Sequence, residues 1–177
     1  GGTTLTAGDA TDRTFSGSIS EFLGAGAFTK EGTGTLTLTG NNTYTGATTV
    51  KNGTLVVDGS NANSAITVES GGTLGGSGTV GNVSILSGGT LAAGNSPGIL
   101  NTGNVTLNAG ATQAVEIAGT GAGQFDQLNV TGTVSLGGAT LSVSLLNAFD
   151  PAFGDSFIII NNDGVDSISG TFAGLAE

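Results

Sequence analysis

A 24-residue stretch, GTLTLTGNNTYTGATTVKNGTLVV at residues 34–57, shows how the chain is organised. The signature Gly-Thr-Leu begins this stretch and returns at Gly53, and it recurs at Gly72, Gly89 and, more loosely, Gly138. The leucines at positions 36, 55, 74 and 91 are 19, 19 and 17 residues apart. A period of about 20 residues is that of one coil in a solenoid, so the sequence predicts stacked coils.

Apolar and polar residues alternate strictly around these signatures. Successive side chains of a β-strand point to opposite faces, so the alternation predicts short strands with one buried face. The side chains expected to point inward are Leu36/Leu38, Leu55/Val57, Ile66/Val68, Val83/Ile85, Val105/Leu107, Val115/Ile117, Leu128/Val130, Val134/Leu136 and Leu141/Val143/Leu145. Those expected to face water include Thr37, Thr67, Glu69, Ser84, Thr106, Glu116, Asn129, Ser135, Ser142 and Ser144. The 3.6-residue apolar period of an amphipathic helix is missing.

Glycine and asparagine separate the strands, as at Gly40-Asn41-Asn42 and at residues 94–98. Both residue types reach positive φ at low cost, so the chain can turn a corner every few residues. Hairpins or a sandwich would also explain the alternation, but stacked coils explain in addition the near-constant spacing of one signature. We therefore predict one all-β solenoid domain over residues 1–177, with coils of about 17–23 residues.

Phenylalanine is concentrated near the two ends of the chain, at Phe15, Phe22 and Phe28 and then at Phe149, Phe153, Phe157 and Phe172. We expect irregular first coils over residues 1–30, regular coils over 31–144, and Phe-containing terminal coils or a cap over 145–177. Terminal repeats of a solenoid must shield the open core, and large aromatic side chains suit that purpose.

The charge balance excludes several classes of partner. Three Lys and Arg residues against 13 Asp and Glu give a net charge of −10, which excludes nucleic acid and disfavours anionic membranes. The absence of Cys removes disulfides and thiolate metal sites. No apolar run approaches the roughly 18 residues of a membrane span, and no signal peptide is recognisable. Since Met is also absent, we expect a processed form or a fragment.

Carbohydrate cleavage is the activity to test first, because some right-handed β-helices are polysaccharide lyases and hydrolases. Glycoside hydrolysis needs two carboxylates about 5 to 10 Å apart in a sugar-binding groove. The close acidic pairs in the sequence are Asp9/Asp12, Glu21 with Glu31, Asp150/Asp155 and Asp163/Asp166. The chain has no His and no Trp, which removes the usual general base and a common sugar platform. We expect no enzyme and no catalytic residues.

Calcium is the metal that the sequence leaves open. Asn161-Asn162-Asp163-Gly164-Val165-Asp166 offers several oxygen ligands, but it does not match an EF-hand loop. A tight turn between strands at 157–160 and 165–168 is the simpler interpretation. No other cofactor is expected: Gly119-Thr120-Gly121-Ala122-Gly123 lacks the Lys of a phosphate-binding loop.

Two further patterns have simple structural interpretations. The Asn-x-Ser/Thr sequences at Asn41, Asn82, Asn104 and Asn129 match the glycosylation pattern, yet asparagine equally suits the corners of coils. A Thr-x-Thr array that could order water as ice-binding surfaces do begins at Thr35 and is not sustained in the following units. Threonine is therefore interpreted as a soluble strand former.

Residues 32–50, followed by Asn52-Gly53-Thr54-Leu55, closely resemble the passenger-associated β-strand repeat of bacterial autotransporters. Residues 87–98 and 103–107 look like the continuation common in such passengers, and residues 170–177 are similar to their tails. The resemblance implies a right-handed parallel β-helix exported to a Gram-negative cell surface. It implies no shared catalytic residues, and the translocating barrel of the family is not part of this sequence.

The leading functional hypothesis is a non-catalytic structural or adhesive solenoid of a secreted or cell-surface protein, with roles in adhesion, aggregation or biofilm matrix. Its partners would be a host or neighbouring cell surface, with polysaccharide contact as one option. A second hypothesis is an extracellular filament whose subunits stack end to end through unpaired strand edges. A third is a β-helix that binds or processes carbohydrate.

Overall fold

The computed structural model describes residues 2–21, 24–164 and 166–175. Its regular elements are all β-strands, and all pairings between these strands are parallel. No helix long and apolar enough to cross a bilayer occurs among these residues. The fold is a right-handed parallel β-helix, which confirms the predicted fold class.

The strands of the described residues form three sheets, of which the first two run the length of the solenoid and the third begins at Ser60–Asn61. The first sheet contains β1 (Thr4–Ala7), β3 (Ala27–Lys30), β5 (Thr48–Val50), β8 (Ile66–Val68), β11 (Val83–Ile85), β14 (Val105–Leu107), β17 (Val134–Ser135) and β20 (Ile168–Ser169). The second contains β2 (Arg13–Phe15), β4 (Thr35–Leu38), β6 (Gly53–Val57), β9 (Gly72–Gly76), β12 (Thr90–Ala93), β15 (Thr112–Ile117) and β18 (Thr140–Leu145). The third contains β7 (Ser60–Asn61), β10 (Thr79–Val80), β13 (Ile99–Thr102), β16 (Gln127–Val130) and β19 (Ile160–Asn162).

From β5 onward each coil visits the first, second and third sheets in turn, whereas the two coils that begin at β1 and β3 return from the second sheet to the first without a strand of the third. The Gly-Thr-Leu signature takes the same place in successive coils. Leu36 pairs with Leu55, Leu55 with Leu74, and Leu74 with Leu91. The spacing seen in the sequence is therefore the length of one coil. The leucines pack directly above one another in the core, where Leu55, Leu74 and Leu91 are fully buried.

Contact between coils explains why glycine begins the signature. A Cβ atom added at Gly53 would lie 2.6 Å from the carbonyl oxygens of Gly32 and Gly34. One added at Gly72 would lie 2.6 Å from the carbonyl oxygen of Val50 in the coil before. Gly53 also has a φ of 62°, a conformation that other residues adopt only with strain. The following threonine points outward and the leucine points inward.

The predicted inward-facing residues from Leu36 to Leu136 are buried, and all of them except Val115 and Ile117 belong to one continuous core. The prediction is wrong for Val143 and Leu145, whose side chains are 50% and 51% exposed. Both belong to β18, the last strand of the second sheet. In the described part of the chain no further strand stacks on β18, so nothing covers these side chains.

Coil length changes along the solenoid. One position of the first sheet is occupied in turn by Leu5, Phe28, Thr48, Ile66, Val83, Val105, Val134 and Ile168. The first five steps, of 17 to 23 residues, lie within the predicted range, and the last two are 29 and 34 residues. The longer coils carry extended connections between the second and third sheets, at 118–126 and 146–159.

The segment around Asp163-Gly164 is a corner rather than a tight turn between paired strands. β19 before it belongs to the third sheet and β20 after it to the first sheet. Val165, part of the predicted second strand, lies outside the described residues. In a solenoid each connection leads to the next sheet, so the hairpin interpretation does not apply here.

The phenylalanines of the two ends take different positions. Phe28 is buried and Phe172 packs against the core. Phe157 makes edge contacts with Phe125 and Phe149, at centroid distances of 5.5 and 6.2 Å. Phe15 and Phe153 are exposed, and Phe22 lies outside the described residues. The capping role of residues 145–177 stays a prediction.

Candidate functional surface

A single file of hydroxyl side chains runs along the outer face of the first sheet. We call it the hydroxyl ladder, and its members are Thr6, Thr29, Thr49, Thr67, Ser84, Thr106, Ser135 and Ser169. Each strand of the first sheet contributes one hydroxyl, and each hydroxyl lies in register with the next. With neighbouring strands about 4.8 Å apart, eight residues span about 34 Å.

The ladder is accessible and chemically uniform. All of its side chains are partly or fully exposed, while the residues on either side of each one in the strand point into the solenoid. The hydroxyls of Thr49, Thr67 and Thr106 make no hydrogen bond to other described residues. Each hydroxyl can both donate and accept a hydrogen bond. The surface therefore offers a regular row of neutral hydrogen-bonding groups.

Charged side chains stack along the border of this surface that follows the strands. Glu31, Lys51 and Glu69 follow β3, β5 and β8 and stack in consecutive coils. The Lys51 ammonium donates to Glu31 Oε1 at 2.8 Å, and this bond raises the pKa of Lys51. In the following coils Leu86 and Asn108 take the same place, so the border of the ladder is uncharged there.

Asparagine side chains at one corner hold consecutive coils in register beside the ladder. The Asn104 backbone N–H donates to Asn82 Oδ1 at 2.9 Å, and the Thr133 N–H donates to Asn104 Oδ1 at 2.8 Å. These bonds join one coil to the next immediately before β11, β14 and β17. The structure therefore confirms the corner role that the sequence predicted for Asn82 and Asn104.

A buried polar cluster lies in the interior of the solenoid, on the opposite face of β5 from Thr49. Thr48 Oγ1 is 2.6 Å from the Tyr44 hydroxyl and 2.8 Å from Ser64 Oγ, and Asn61 Nδ2 donates to the Tyr44 hydroxyl at 2.8 Å. Burial raises the pKa of Tyr44. Asn61 Oδ1 has no hydrogen-bond partner within the described chain. Sequence alternation did not reveal this cluster, because Thr48 occupies an inward position that neighbouring coils fill with the apolar residues Phe28 and Ile66.

Lys30 is another inward-pointing polar residue that alternation did not identify. Its side chain is fully buried, and its ammonium donates to the carbonyl oxygens of Glu31, Gly32 and Asn52 at 2.8 to 3.1 Å. Burial lowers the pKa of Lys30. The ammonium binds the backbone of two coils together, so this cation serves the fold.

The acidic residues near the start of the chain bind backbone and hydroxyl groups. The Asp9 carboxylate accepts from the Thr11 N–H and hydroxyl, which lowers the pKa of Asp9. Asp12 Oδ1 accepts from the Thr35 N–H at 2.7 Å. Glu21 accepts from the N–H groups of Thr45 and Gly26, and these bonds lower its pKa. Asp12 and Glu21 thereby join one coil to the next, whereas the Asp9 carboxylate closes a local turn.

Of the later acidic pairs, Asp150/Asp155 lies in the long connection at 146–159, and Asp163/Asp166 lies at the corner between β19 and β20. Asp155 Oδ2 accepts from the Ala152 N–H at 2.8 Å, which closes a local turn. The amide groups of the predicted calcium segment are engaged: Asn161 Nδ2 donates to Asn129 Oδ1, and Asn162 Nδ2 donates to the Asp166 carbonyl. No group of three or more acidic residues suited to a metal occurs among the described residues. Calcium binding stays a prediction.

The most buried carboxylate, Asp126, was not among the predicted pairs. Its two oxygens accept from the N–H groups of Gly98 and Glu116, at 2.9 and 2.8 Å. Burial, and to a smaller extent the neighbouring charge of Glu116, raises the pKa of Asp126. Both oxygens are occupied by backbone donors, so Asp126 fastens the connection at 118–126 to the coil before it.

A second row of hydroxyls lies on the second sheet, and we call it the threonine file: Thr35, Thr54, Thr73, Thr90, Thr112 and Thr140. The outward position two residues further along each strand is mostly not threonine. In β4 it is Thr37, but in the next three coils it is Val56, Gly75 and Ala92. A two-file Thr-x-Thr array is therefore absent from the second sheet, as the sequence predicted. The threonine file ends at β4, whereas the ladder continues to β1.

The sequence held a signal for the ladder. Asn82-Val83-Ser84-Ile85, Asn104-Val105-Thr106-Leu107 and Thr133-Val134-Ser135-Leu136 are copies of one four-residue pattern with a hydroxyl in third place. Four members of the ladder were predicted to face water, but not to lie in one row. Recognising the row requires the register between coils of unequal length, which the structure provides.

A sequence model of the passenger-associated-transport-repeat family matches residues 28–57. The matched stretch runs from β3 to the end of β6 and includes Thr29 and Thr49 of the ladder. The match confirms the resemblance to autotransporter passenger repeats over this part of the chain. No curated protein matches the chain.

Proposed function

We propose that this chain is a non-catalytic segment of an exported surface protein, and that the hydroxyl ladder is its adhesive face. The observation that carries the proposal is the unbroken register of the ladder through every strand of the first sheet. A solenoid built only as a spacer would need soluble residues on this face, but not the same functional group in every coil.

The family match supports a location outside the cell. Passenger repeats belong to proteins that autotransporters export, so the repeat at residues 28–57 favours a secreted or surface-attached protein. Shape agrees with such a role, because stacked coils give a rod that can present one face over a long distance.

Several features argue against catalysis. The chain has no His and no Cys to serve as general base or nucleophile. Asp9, Glu21 and Asp126 all accept hydrogen bonds from backbone N–H groups that hold the fold together. Carboxylates in such structural bonds are poorly placed to exchange protons with a substrate.

The chemistry of the ladder favours a neutral, hydroxyl-rich partner such as the glycan layer of a cell. A net charge of −10 opposes contact with anionic surfaces. A row of hydroxyls can exchange its bonds to water for bonds to sugar hydroxyls, and each bond contributes about 0.5 to 1.5 kcal/mol. Many weak bonds along one rod would add together once the first has formed.

The test compares binding to a neutral polysaccharide layer, such as immobilised dextran or mannan, for three purified proteins. The ladder variant carries Thr49→Val, Thr67→Val and Thr106→Val; valine keeps the shape of threonine and suits strands. The control carries Thr54→Val, Thr73→Val and Thr90→Val in the threonine file. Loss of three hydrogen bonds should weaken binding about tenfold or more in the ladder variant only.

Circular dichroism and melting temperature establish that all three proteins are folded. Equal binding by the two triple variants would contradict an adhesive role of the ladder. A release of reducing sugar by the unaltered chain would contradict the non-catalytic assignment and favour the carbohydrate-processing alternative.

A further inference from the structure

The corners that join the third sheet to the first differ in length in the middle of the solenoid. The corner at 62–65 has four residues, those at 81–82 and 103–104 have two each, and the corner at 131–133 has three. The two short corners therefore lie between longer ones. A groove of about 450 Å³ results, and it is lined by Asn63, Thr79, Asn82, Asn101 and Thr131 among others. We call it the corner groove.

Hydrogen bonds to the preceding coil fix the two longer corners that border the groove. Ser64 in the first of them is buried, and its hydroxyl donates to the Gly46 carbonyl at 2.7 Å and lies 2.8 Å from Thr48 Oγ1. In the other, the Thr131 hydroxyl donates to the Thr102 carbonyl at 3.2 Å. The groove is therefore formed by the fold itself and needs no ligand to give it shape.

Glycine keeps the floor of the groove low. A Cβ atom at Gly81 would lie 2.4 Å from the Ser64 carbonyl oxygen, and one at Gly103 would lie 2.5 Å from Asn82 Oδ1. Both short corners therefore rest directly on the coil before them. Asn101 Nδ2 donates to the Gly78 carbonyl at 3.1 Å, which fixes the asparagine that lines the groove beside these corners.

The lining of the groove is neutral and carries hydrogen-bonding groups that the fold does not use. None of the described residues that line it is charged. The side chains of Asn63 and Thr79 are exposed and make no hydrogen bond to other residues that the structure describes. Asn82 Oδ1 accepts from the Asn104 N–H at 2.9 Å, so Asn82 Nδ2 remains as a donor on a side chain that is already oriented. Three polar side chains are therefore available to a ligand.

The groove opens beside the hydroxyl ladder. Asn82 precedes Ser84 of the ladder by two residues, and Val83 between them points into the core. In an extended chain, residues two apart lie on the same face with a separation of about 6.6 Å along the strand. The corner groove and the ladder therefore form one continuous neutral surface.

We propose that the corner groove binds a short neutral oligosaccharide, so that a glycan lying on the ladder places a branch or a chain end in the groove. The volume of the groove is that of a small-molecule site, and amide and hydroxyl groups can both donate to and accept from sugar hydroxyls. A charged ligand would find no opposite charge in this lining. Because each hydrogen bond to the sugar replaces one to water, the dissociation constant should be in the millimolar range.

This inference deepens the proposed adhesive function, and it rests on that function for the class of ligand. The groove would recognise a short segment of glycan, whereas the ladder would provide the extended contact. Different side chains are involved, since Thr49, Thr67 and Thr106 of the ladder do not line the groove. The two assignments can therefore fail separately.

The test titrates isotopically labelled chain with mannotriose and isomaltotriose, which are short fragments of mannan and dextran, and follows the amide signals by NMR. At least one of these sugars should cause saturable shifts at the corners 62–65, 81–82, 103–104 and 131–133 and at the Asn82 side-chain amide. A groove variant with Asn63→Ala and Thr79→Val should bind that sugar about tenfold more weakly or less. The matched control carries Asn63→Gln and Thr79→Ser, keeps both kinds of polar group, and should bind nearly as the unaltered chain does.

The absence of saturable shifts with both sugars up to about 50 mM, well above a millimolar dissociation constant, would overturn the proposal. Shifts that spare the corners would do the same, as would equal affinities of the groove variant and the unaltered chain. A matched control as weak as the groove variant would also contradict it.

The ladder variant with Thr49→Val, Thr67→Val and Thr106→Val separates this proposal from the adhesive one. It should keep the shifts that the trisaccharide causes in the groove. If it also keeps full binding to the polysaccharide layer, the adhesive role of the ladder fails and the groove stands. If layer binding depends on the ladder and the unaltered chain shows no shifts in the groove, the groove fails and the adhesive role stands.

Discussion

Thr48 shows how much a single buried hydroxyl contributes to the stability of the fold. Its neighbours in the file are Phe28 and Ile66, so Thr48→Val keeps the shape of the core and removes the bonds to Tyr44 and Ser64. Tyr44 keeps the bond from Asn61 and Ser64 keeps its bond to the Gly46 carbonyl, so the cost is that of two lost hydrogen bonds of about 0.5 to 1.5 kcal/mol each, about 1 to 3 kcal/mol together. We expect Thr48→Val to lower the free energy of unfolding by this amount in urea denaturation.

Thr49→Val is the control for Thr48, because the next side chain points outward from the same strand. Exposed substitutions of this kind change stability by about 0.5 kcal/mol or less. If the two variants lost the same stability, the buried cluster would have no structural role of its own.

Glu21 makes the stability of the first coils depend on pH. Its carboxylate accepts from Thr45 and Gly26, so its pKa in the folded protein is lower than the ordinary value of about 4.3. The stabilisation is present above that ordinary value and is lost as pH falls through the lowered folded pKa. Glu21→Gln should therefore reduce the melting temperature at pH 7, and the difference from the unaltered chain should shrink on acidification below pH about 4.

Asp150→Asn is a suitable control for Glu21, because it removes the same charge from an exposed connection. Its melting temperature should stay close to that of the unaltered chain at both pH values. A Glu21→Gln effect that was as large in acid as at neutral pH would show that the carboxylate does not act through its charge.

At the scale of the strand and its corner, close contact between coils decides which glycines are indispensable. Gly53 combines positive φ with backbone oxygens at 2.6 Å from any added Cβ. Gly123 also has positive φ, but nothing lies within 4 Å of an added Cβ. Gly123→Ala should cost about 1 kcal/mol from strain alone, and Gly53→Ala should cost more than about 2 kcal/mol. Urea denaturation of both variants measures the difference.

Equal losses for the two glycine variants would contradict this account of the signature. They would mean that positive φ, rather than the approach of the preceding coil, explains why glycine begins Gly-Thr-Leu. Gly72→Ala separates the two effects further, since Gly72 has the close contact without positive φ.

Sequence periodicity predicted the strands far better than it predicted the exposure of the last strand or the buried polar residues. Alternation finds strands such as Leu36–Leu38 because burial of one face repeats every second residue. It cannot find Lys30 or Thr48, since their inward positions depend on polar partners in other coils. Val143 and Leu145 follow the pattern and are nevertheless exposed, because burial also requires a coil on each side.

The same limit applies to the candidate surface. The hydroxyl ladder joins residues separated by 17 to 34 positions, so unequal coils hide it from any fixed period. Only the hydrogen-bonded register brings Thr106, Ser135 and Ser169 into one row.

At the scale of the whole molecule, we propose that one row of hydroxyls along the rod makes contact with a neutral glycan surface. The most direct measurement is binding of monomeric chain to a polysaccharide layer as ladder hydroxyls are removed one at a time, with Thr67→Val, then Thr106→Val, then Thr49→Val. Affinity should fall stepwise with each substitution, while the same number of substitutions in the threonine file should leave binding unchanged. Affinity that stayed constant through all three ladder substitutions would contradict it.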